Sequence, residues 1–224
     1  MAGIIATDNG GGKDFQKAPE GTHIARCVQM IQLGTIEKDF QGKKNHVNEV
    51  RITWELPNEL TVFDPEKGEE PFVISETYTL STGEKANLRK VIDAWRGKPL
   101  TEAEAKEFDV TVLLGKPCMI NIGYRTSKNN GKEYANITSV MALPKGTSVP
   151  DQITPTKLLS FAEFDWNLFD SLSKYVKDRI ANSLEYGQLM ADKVARESAN
   201  AGKTHATPQA ASAIVPPGED DLPF

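Results

Sequence analysis

Glu49-Val50-Arg51-Ile52-Thr53-Trp54-Glu55-Leu56 alternates apolar and polar residues without a break. Successive side chains of a strand point to opposite faces, so this period of two predicts a strand with Val50, Ile52, Trp54 and Leu56 buried and the other face wet. Upstream, Thr22 to Leu33 is β-rich, with Ile24, Cys27, Val28, Met30, Ile31 and Leu33, and Gly34 ends or bulges it. The stretch Thr35 to Asn45, with Phe40, Gly42, Lys43 and Lys44, reads as the connecting loop. Downstream, Asn58 to Pro71 reads as a turn-rich acidic insert, and Phe72 to Leu80 as a third strand with Phe72, Ile74, Tyr78 and Leu80 in one phase. The period then changes. Leu88, Val91, Ile92 and Trp95 form the stripe of an amphipathic helix that Gly97 is placed to end. Thr101 and Glu104 form a capping box opening a short helical turn towards Phe108. Two further strands, Cys118 to Arg125 and Tyr134 to Leu143, flank Thr126 to Lys132, whose Asn129-Asn130-Gly131 core favours a tight reversal.

The order β, β, β, α, β, β is that of a five-stranded OB-fold barrel with a helix between strands 3 and 4, giving a mainly β chain. Such barrels bind on strands two and three and on the loops one-two and four-five. The four expected regions are a flexible arm over 1–19, the barrel over 20–146, a linker and helical extension over 147–198, and a disordered tail over 199–224. In the extension, Pro144, Pro150 and Pro155 mark the linker, and Phe169, Leu172, Val176, Ile180 and Leu184 line one side of a helix expected from Asn167 towards Ala191. That stripe needs something to cover it, either the barrel's back or a second subunit in a homodimer.

The net charge of −5 hides an uneven distribution. Lys+Arg against Asp+Glu is 17 to 18 over 20–146 and 7 to 11 over 147–224. The acidity is mostly C-terminal, so a polyanion partner for the barrel is not excluded. No run reaches the roughly 18 apolar residues of a membrane span, and the start lacks a signal peptide's pattern, so the expectation is a cytoplasmic protein with no membrane partner. Cys27 and Cys118 lie in apolar stretches and are expected to be small core residues rather than a disulfide. The histidines His23, His46 and His205 lack metal-ligand spacing, and Gly10-Gly11-Gly12-Lys13 lacks the rest of a phosphate loop. The carboxylates of Glu66 to Glu70 read as a wet loop. A non-catalytic protein without cofactors is therefore expected.

Single-strand binding asks for cations against phosphates and exposed aromatic faces on which bases stack. Lys43, Lys44, Arg51, Arg125, Lys128 and Lys132 fall at loop or outward positions. Tyr134 shares phase with Asn136 and Thr138, away from Ile137 and Met141, and should face outward; Phe40 sits in a loop with no evident core. Trp54 is in register with core residues, and Tyr124 is in phase with Ile120 and Ile122, which predicts burial of all but its hydroxyl.

The sharpest motif is Glu219-Asp220-Asp221-Leu222-Pro223-Phe224: charge for a basic rim, a ring for a pocket, and a terminal carboxylate for Arg or Lys. It closely resembles the Asp-Asp-Asp-Ile-Pro-Phe tip of bacterial single-stranded DNA-binding proteins. Residues 20–146 resemble phage-encoded OB-fold single-strand binders through Pro19-Glu20-Gly21-Thr22, Val28-Gln29-Met30-Ile31-Gln32-Leu33-Gly34-Thr35 and Gly115-Lys116-Pro117-Cys118. Phe169-Asp170-Ser171-Leu172 and Ile180-Ala181-Asn182-Ser183-Leu184-Glu185-Tyr186 resemble the segment after the barrel in those proteins. The resemblance implies binding and protection of single-stranded DNA in phage replication or recombination, with replication proteins recruited by the tip. The alternative is an OB-fold adaptor whose main ligand is another protein of such a complex.

Overall fold

The computed structural model describes residues 16–40, 42–128 and 130–203, so the acidic tip and most of the arm lie outside the described residues. Five strands, β1 (Gly21–Phe40), β2 (Lys43–Asp64), β3 (Gly68–Thr79), β4 (Pro117–Thr126) and β5 (Glu133–Met141), run antiparallel in the order β3-β2-β1-β4-β5. β3 approaches β5, so the sheet nearly closes on itself. This is an OB-fold barrel, with α1 (Asn87–Arg96), α2 (Glu102–Lys106) and a 3-10 turn at Val110–Leu113 between β3 and β4.

The alternation over 49–56 puts Val50, Ile52, Trp54 and Leu56 into the barrel core, where α1 adds Leu88, Ile92 and Trp95. Trp54 meets Trp95 at 5.7 Å and Tyr78 edge-on at 6.5 Å between ring centroids. Burying each such side chain stabilises the fold by about 1.5–3 kcal/mol. Gly97 ends α1 in the left-handed conformation (φ 68°), and the Thr101–Glu104 capping box forms in both directions. Cys27 and Cys118 are buried and unbridged, and burial pushes the Cys27 thiol up to about 12 and raises that of Cys118.

Several expectations are corrected. The loop expected over 35–45 is hairpin: β1 and β2 stay in register from Thr35↔Asn48 to Phe40↔Lys43, and Asp39 Oδ1 accepts the Gly42 N–H at 2.7 Å. The acidic insert is likewise a hairpin: Thr61, Val62 and Phe63 carry strand-favouring side chains, Leu60 and Thr61 pair with Pro71 and Glu70, and Asp64 pairs with Gly68. The arm's described residues, 16–19, lie against the barrel, and Ala18 enters the core.

The expected single helix is three: α3 (Trp166–Ser171), α4 (Lys174–Ala181) and α5 (Leu184–Lys203). Each begins after a polar capping residue. Asp165 Oδ1 accepts the N–H of Asn167 and Leu168 (2.9 and 3.0 Å), Ser173 stands extended before α4, and Ser183 Oγ accepts the Tyr186 N–H at 3.2 Å. The helix α5 continues through 199–203, where the tail was expected to begin. The chain divides into two compact units at Gly187/Gln188. In the second, α5 is mostly exposed over 188–195.

The largest correction concerns the face of β2 expected to be wet. Glu49, Thr53 and Glu55 are buried there. A sixth strand, β6 (Lys157–Leu159), pairs in parallel with β1 at Gln29–Ile31, and Leu159, Phe169, Val176 and Ile180 pack on Ile31 and Leu33 in a second core outside the barrel. The segment 150–187 is thus a strap on the outside of β1 and β2. Glu55 accepts the N–H groups of Ile153 (3.0 Å) and Thr154 (2.7 Å), and Glu49 takes Arg179 from α4 and Lys38 from β1. Gly34, at φ +85°, lets α4's end come close, since a Cβ there would stand 2.6 Å from Ser183 Cβ.

Candidate nucleic-acid interface

The β4–β5 turn is built by its own backbone. Ser127 N–H bonds Lys132 O at 2.8 Å, and Gly131, at φ 66°, returns its N–H to Ser127 O at 2.9 Å. This closes the reversal. Lys128 and Lys132 are exposed, and Arg125 and Lys128 line a concave depression with Thr126 and Ser127. Arg125 pairs directly with Tyr134 across the two strands, so guanidinium and ring share a face. Tyr134 is 49% exposed, and its hydroxyl accepts from Asn130 Nδ2 at 2.8 Å, which fixes the ring relative to the turn. Arg125, Lys128 and Lys132 form no ion pair among the described residues. Four of the eight barrel residues singled out from the sequence therefore come together here, on one strand pair and its turn.

The other four do not join them in one cluster. Lys43 and Lys44 open β2 at the far end of the β1–β2 hairpin, opposite Phe40 and Asp39 in the register. Lys44 pairs with Glu37 at 2.7 Å, which offsets its charge, while Lys43 has no ion pair among the described residues. The Phe40 side chain, Glu219, Asp220, Asp221, Leu222, Pro223 and Phe224 lie outside the described residues. Arg51 is half-buried on the outer face of β2. Burial lowers its guanidinium below the usual range, against the pull of Tyr175 and Glu76 and with the push of Arg179.

Tyr124 departs from its expected burial. It is 37% exposed even though the arm's last residues pack against it: Lys17 Nζ lies 4.7 Å from the ring centroid and the hydroxyl donates to Ala18 O at 3.1 Å. Lys17 also pairs with Glu133 at 2.7 Å, so the acid beside Tyr134 in the chain is engaged. Sequence reasoning missed Asn121, Gly123, Asn136 and Thr138. Thr138 Oγ1 donates to Asn121 Oδ1 (2.7 Å) and Asn121 Nδ2 to Thr22 Oγ1 (2.9 Å), a polar ladder running from β1 to β5. The shared phase of Tyr134, Asn136 and Thr138 was the signal that could have found it.

Among the described residues no cluster of three or more His, Cys, Asp or Glu is placed to hold a metal ion, and no helix is long and apolar enough to cross a membrane. The fold and this surface define an OB-fold barrel with a basic-aromatic strand pair. Compared with known protein families and with curated proteins, the chain matches none.

Proposed function

We propose that this protein binds and protects single-stranded DNA, without catalysis and with little sequence preference, in replication or recombination of the phage type. The observation that carries this reading is the Arg125–Tyr134 pair beneath the unpaired Lys128 and Lys132 on an OB-fold barrel. An exposed ring takes any base by stacking, and three exposed cations neutralise phosphates without reading sequence. Lys43, on the β1–β2 hairpin, adds a separate positive charge without an ion pair among the described residues. Glu219, Asp220, Asp221, Leu222, Pro223 and Phe224 recruit a replication protein through a basic-rimmed apolar pocket.

The adaptor reading draws on a different feature, the β2–β3 hairpin with Leu60, Val62 and Phe63 exposed. Titration of labelled oligo-dT at several salt concentrations separates the two. Affinity should fall with salt at a log–log slope near −0.7 per phosphate neutralised. Lys128→Glu should weaken binding and reduce that slope, and Tyr134→Ala should cost about 1–3 kcal/mol. Salt-independent binding, or no binding, refutes the single-strand reading.

A further inference from the structure

An OB-fold usually takes its ligand on the outer face of strands two and three. Here the β2 part of that face is occupied by the chain itself. Glu49, Thr53 and Glu55 are buried, and each carboxylate is held by donors from the strap. A second apolar core seals the neighbouring β1. A buried carboxylate stripped of its donors is costly, so the strap is an integral layer and not a loose cover.

The outer face of β4 and β5 is the reverse. Beyond the Met119–Met141 pair at one end it is polar, with Asn121 and Asn136 half-exposed and Arg125 and Tyr134 exposed. At that end Thr22, Asn121 and Thr138 are hydrogen-bonded to one another in a ladder. Gly123 comes next, where a Cβ would press on Thr138 Cγ2 at 3.1 Å, so the floor stays flat. Asn136 stands opposite Gly123, and two pairs further along, on the same face, stand Arg125 and Tyr134. The Asn136 amide makes no hydrogen bond to any described residue, whereas the neighbouring Asn121 amide both donates to Thr22 and accepts from Thr138. It offers both a donor and an acceptor, which the edge of any unpaired base can meet.

Resting on the single-strand reading, we propose that the strand crosses β4–β5 instead of β2–β3. It enters at Lys128 and Lys132, stacks a base on Tyr134, and lies over Gly123 with Asn136 hydrogen-bonding a base edge. The strap holds the usual surface shut, and Arg51 belongs to the strap's support.

The test is oligo-dT titration of the full chain at 0.15 M salt, where screening over roughly 8 Å keeps a point charge local. Asn136→Asp adds one charge to the proposed path with almost no change of shape. Tyr175→Glu adds one on the exposed strap side, beside Arg51. Gly123→Gln fills the flat floor, with melting temperature checking that it folds. Loss of about tenfold or more for Asn136→Asp and Gly123→Gln, with Tyr175→Glu within twofold of the parent, supports the path. The opposite pattern, or equal loss from Asn136→Asp and Tyr175→Glu, overturns the path while leaving single-strand binding intact. A parent protein that does not bind at all removes the reading on which the path rests.

Discussion

Truncating Glu55 removes the clip that ties the start of the strap to β2. The carboxylate is fully buried and accepts two backbone N–H groups, from Ile153 at 3.0 Å and Thr154 at 2.7 Å. Hydrogen bonds to a charged group are worth roughly 1.5–3 kcal/mol each. Relief of the buried carboxylate's desolvation and water reaching the freed N–H groups both offset the loss, so the lower end applies to each bond. Glu55→Ala should then cost about 3 kcal/mol, and Glu55→Gln, which keeps one acceptor and the shape, about half of that. For a domain of this size 3 kcal/mol corresponds to a melting temperature lower by about 6–12 °C. Urea unfolding followed by tryptophan fluorescence measures the global loss. Amide exchange at Ile153, Thr154 and the β6 residues Leu158 and Leu159 shows whether the strap loosens first. A Glu55→Ala protein within about 0.5 kcal/mol of the parent would refute the view that this carboxylate holds the strap.

Gly34→Ala should destabilise by about 1–3 kcal/mol, since it combines a φ of +85° with a Cβ 2.6 Å from Ser183 Cβ; thermal melting checks it, and an unchanged protein contradicts the close approach. Trp54→Ala should cost about 3–5 kcal/mol in urea unfolding, whereas Tyr134→Ala, exposed at its strand end, should change stability by less than about 0.5 kcal/mol. The Glu104 carboxyl is held down from 4.5 to about 2, first by the Thr101 backbone N–H and then by Arg96. Because the folded value is the lower one, its contribution is complete above pH 4.5 and disappears as pH falls through about 2; Glu104→Gln should flatten the acid unfolding curve over that window.

Much of the barrel was legible because one face of its strands meets the core and the other meets water. Val50, Ile52, Trp54 and Leu56 announce a strand, and Leu88 to Trp95 announces a helix, by period alone. The strap was illegible for the converse reason. Glu49 and Glu55 look like solvent-facing residues, and nothing local in a sequence tells a wet carboxylate from one that backbone N–H groups and an Arg will cover from more than 90 positions away. A trace was present in β1, where Met30, Ile31 and Leu33 fail to alternate: Met30 faces the barrel core and Ile31 and Leu33 the second one. In the candidate site, Tyr134 was legible from its phase and Lys128 and Lys132 from the Asn-Asn-Gly reversal. Arg51 sits half-buried on a face that was expected to be wet, and Asn136 gained meaning only once Gly123 was seen opposite it.

Single strands are proposed to lie on β4–β5, against Tyr134. Photocrosslinking of a bromodeoxyuridine oligonucleotide to the full chain, with the attached peptide mapped by mass spectrometry, tests it directly. The account predicts adducts centred on Tyr134, lost with excess unlabelled oligo-dT and suppressed at high salt. Adducts confined to β2, β3 or the strap, or an equal yield with competing duplex DNA, would contradict it.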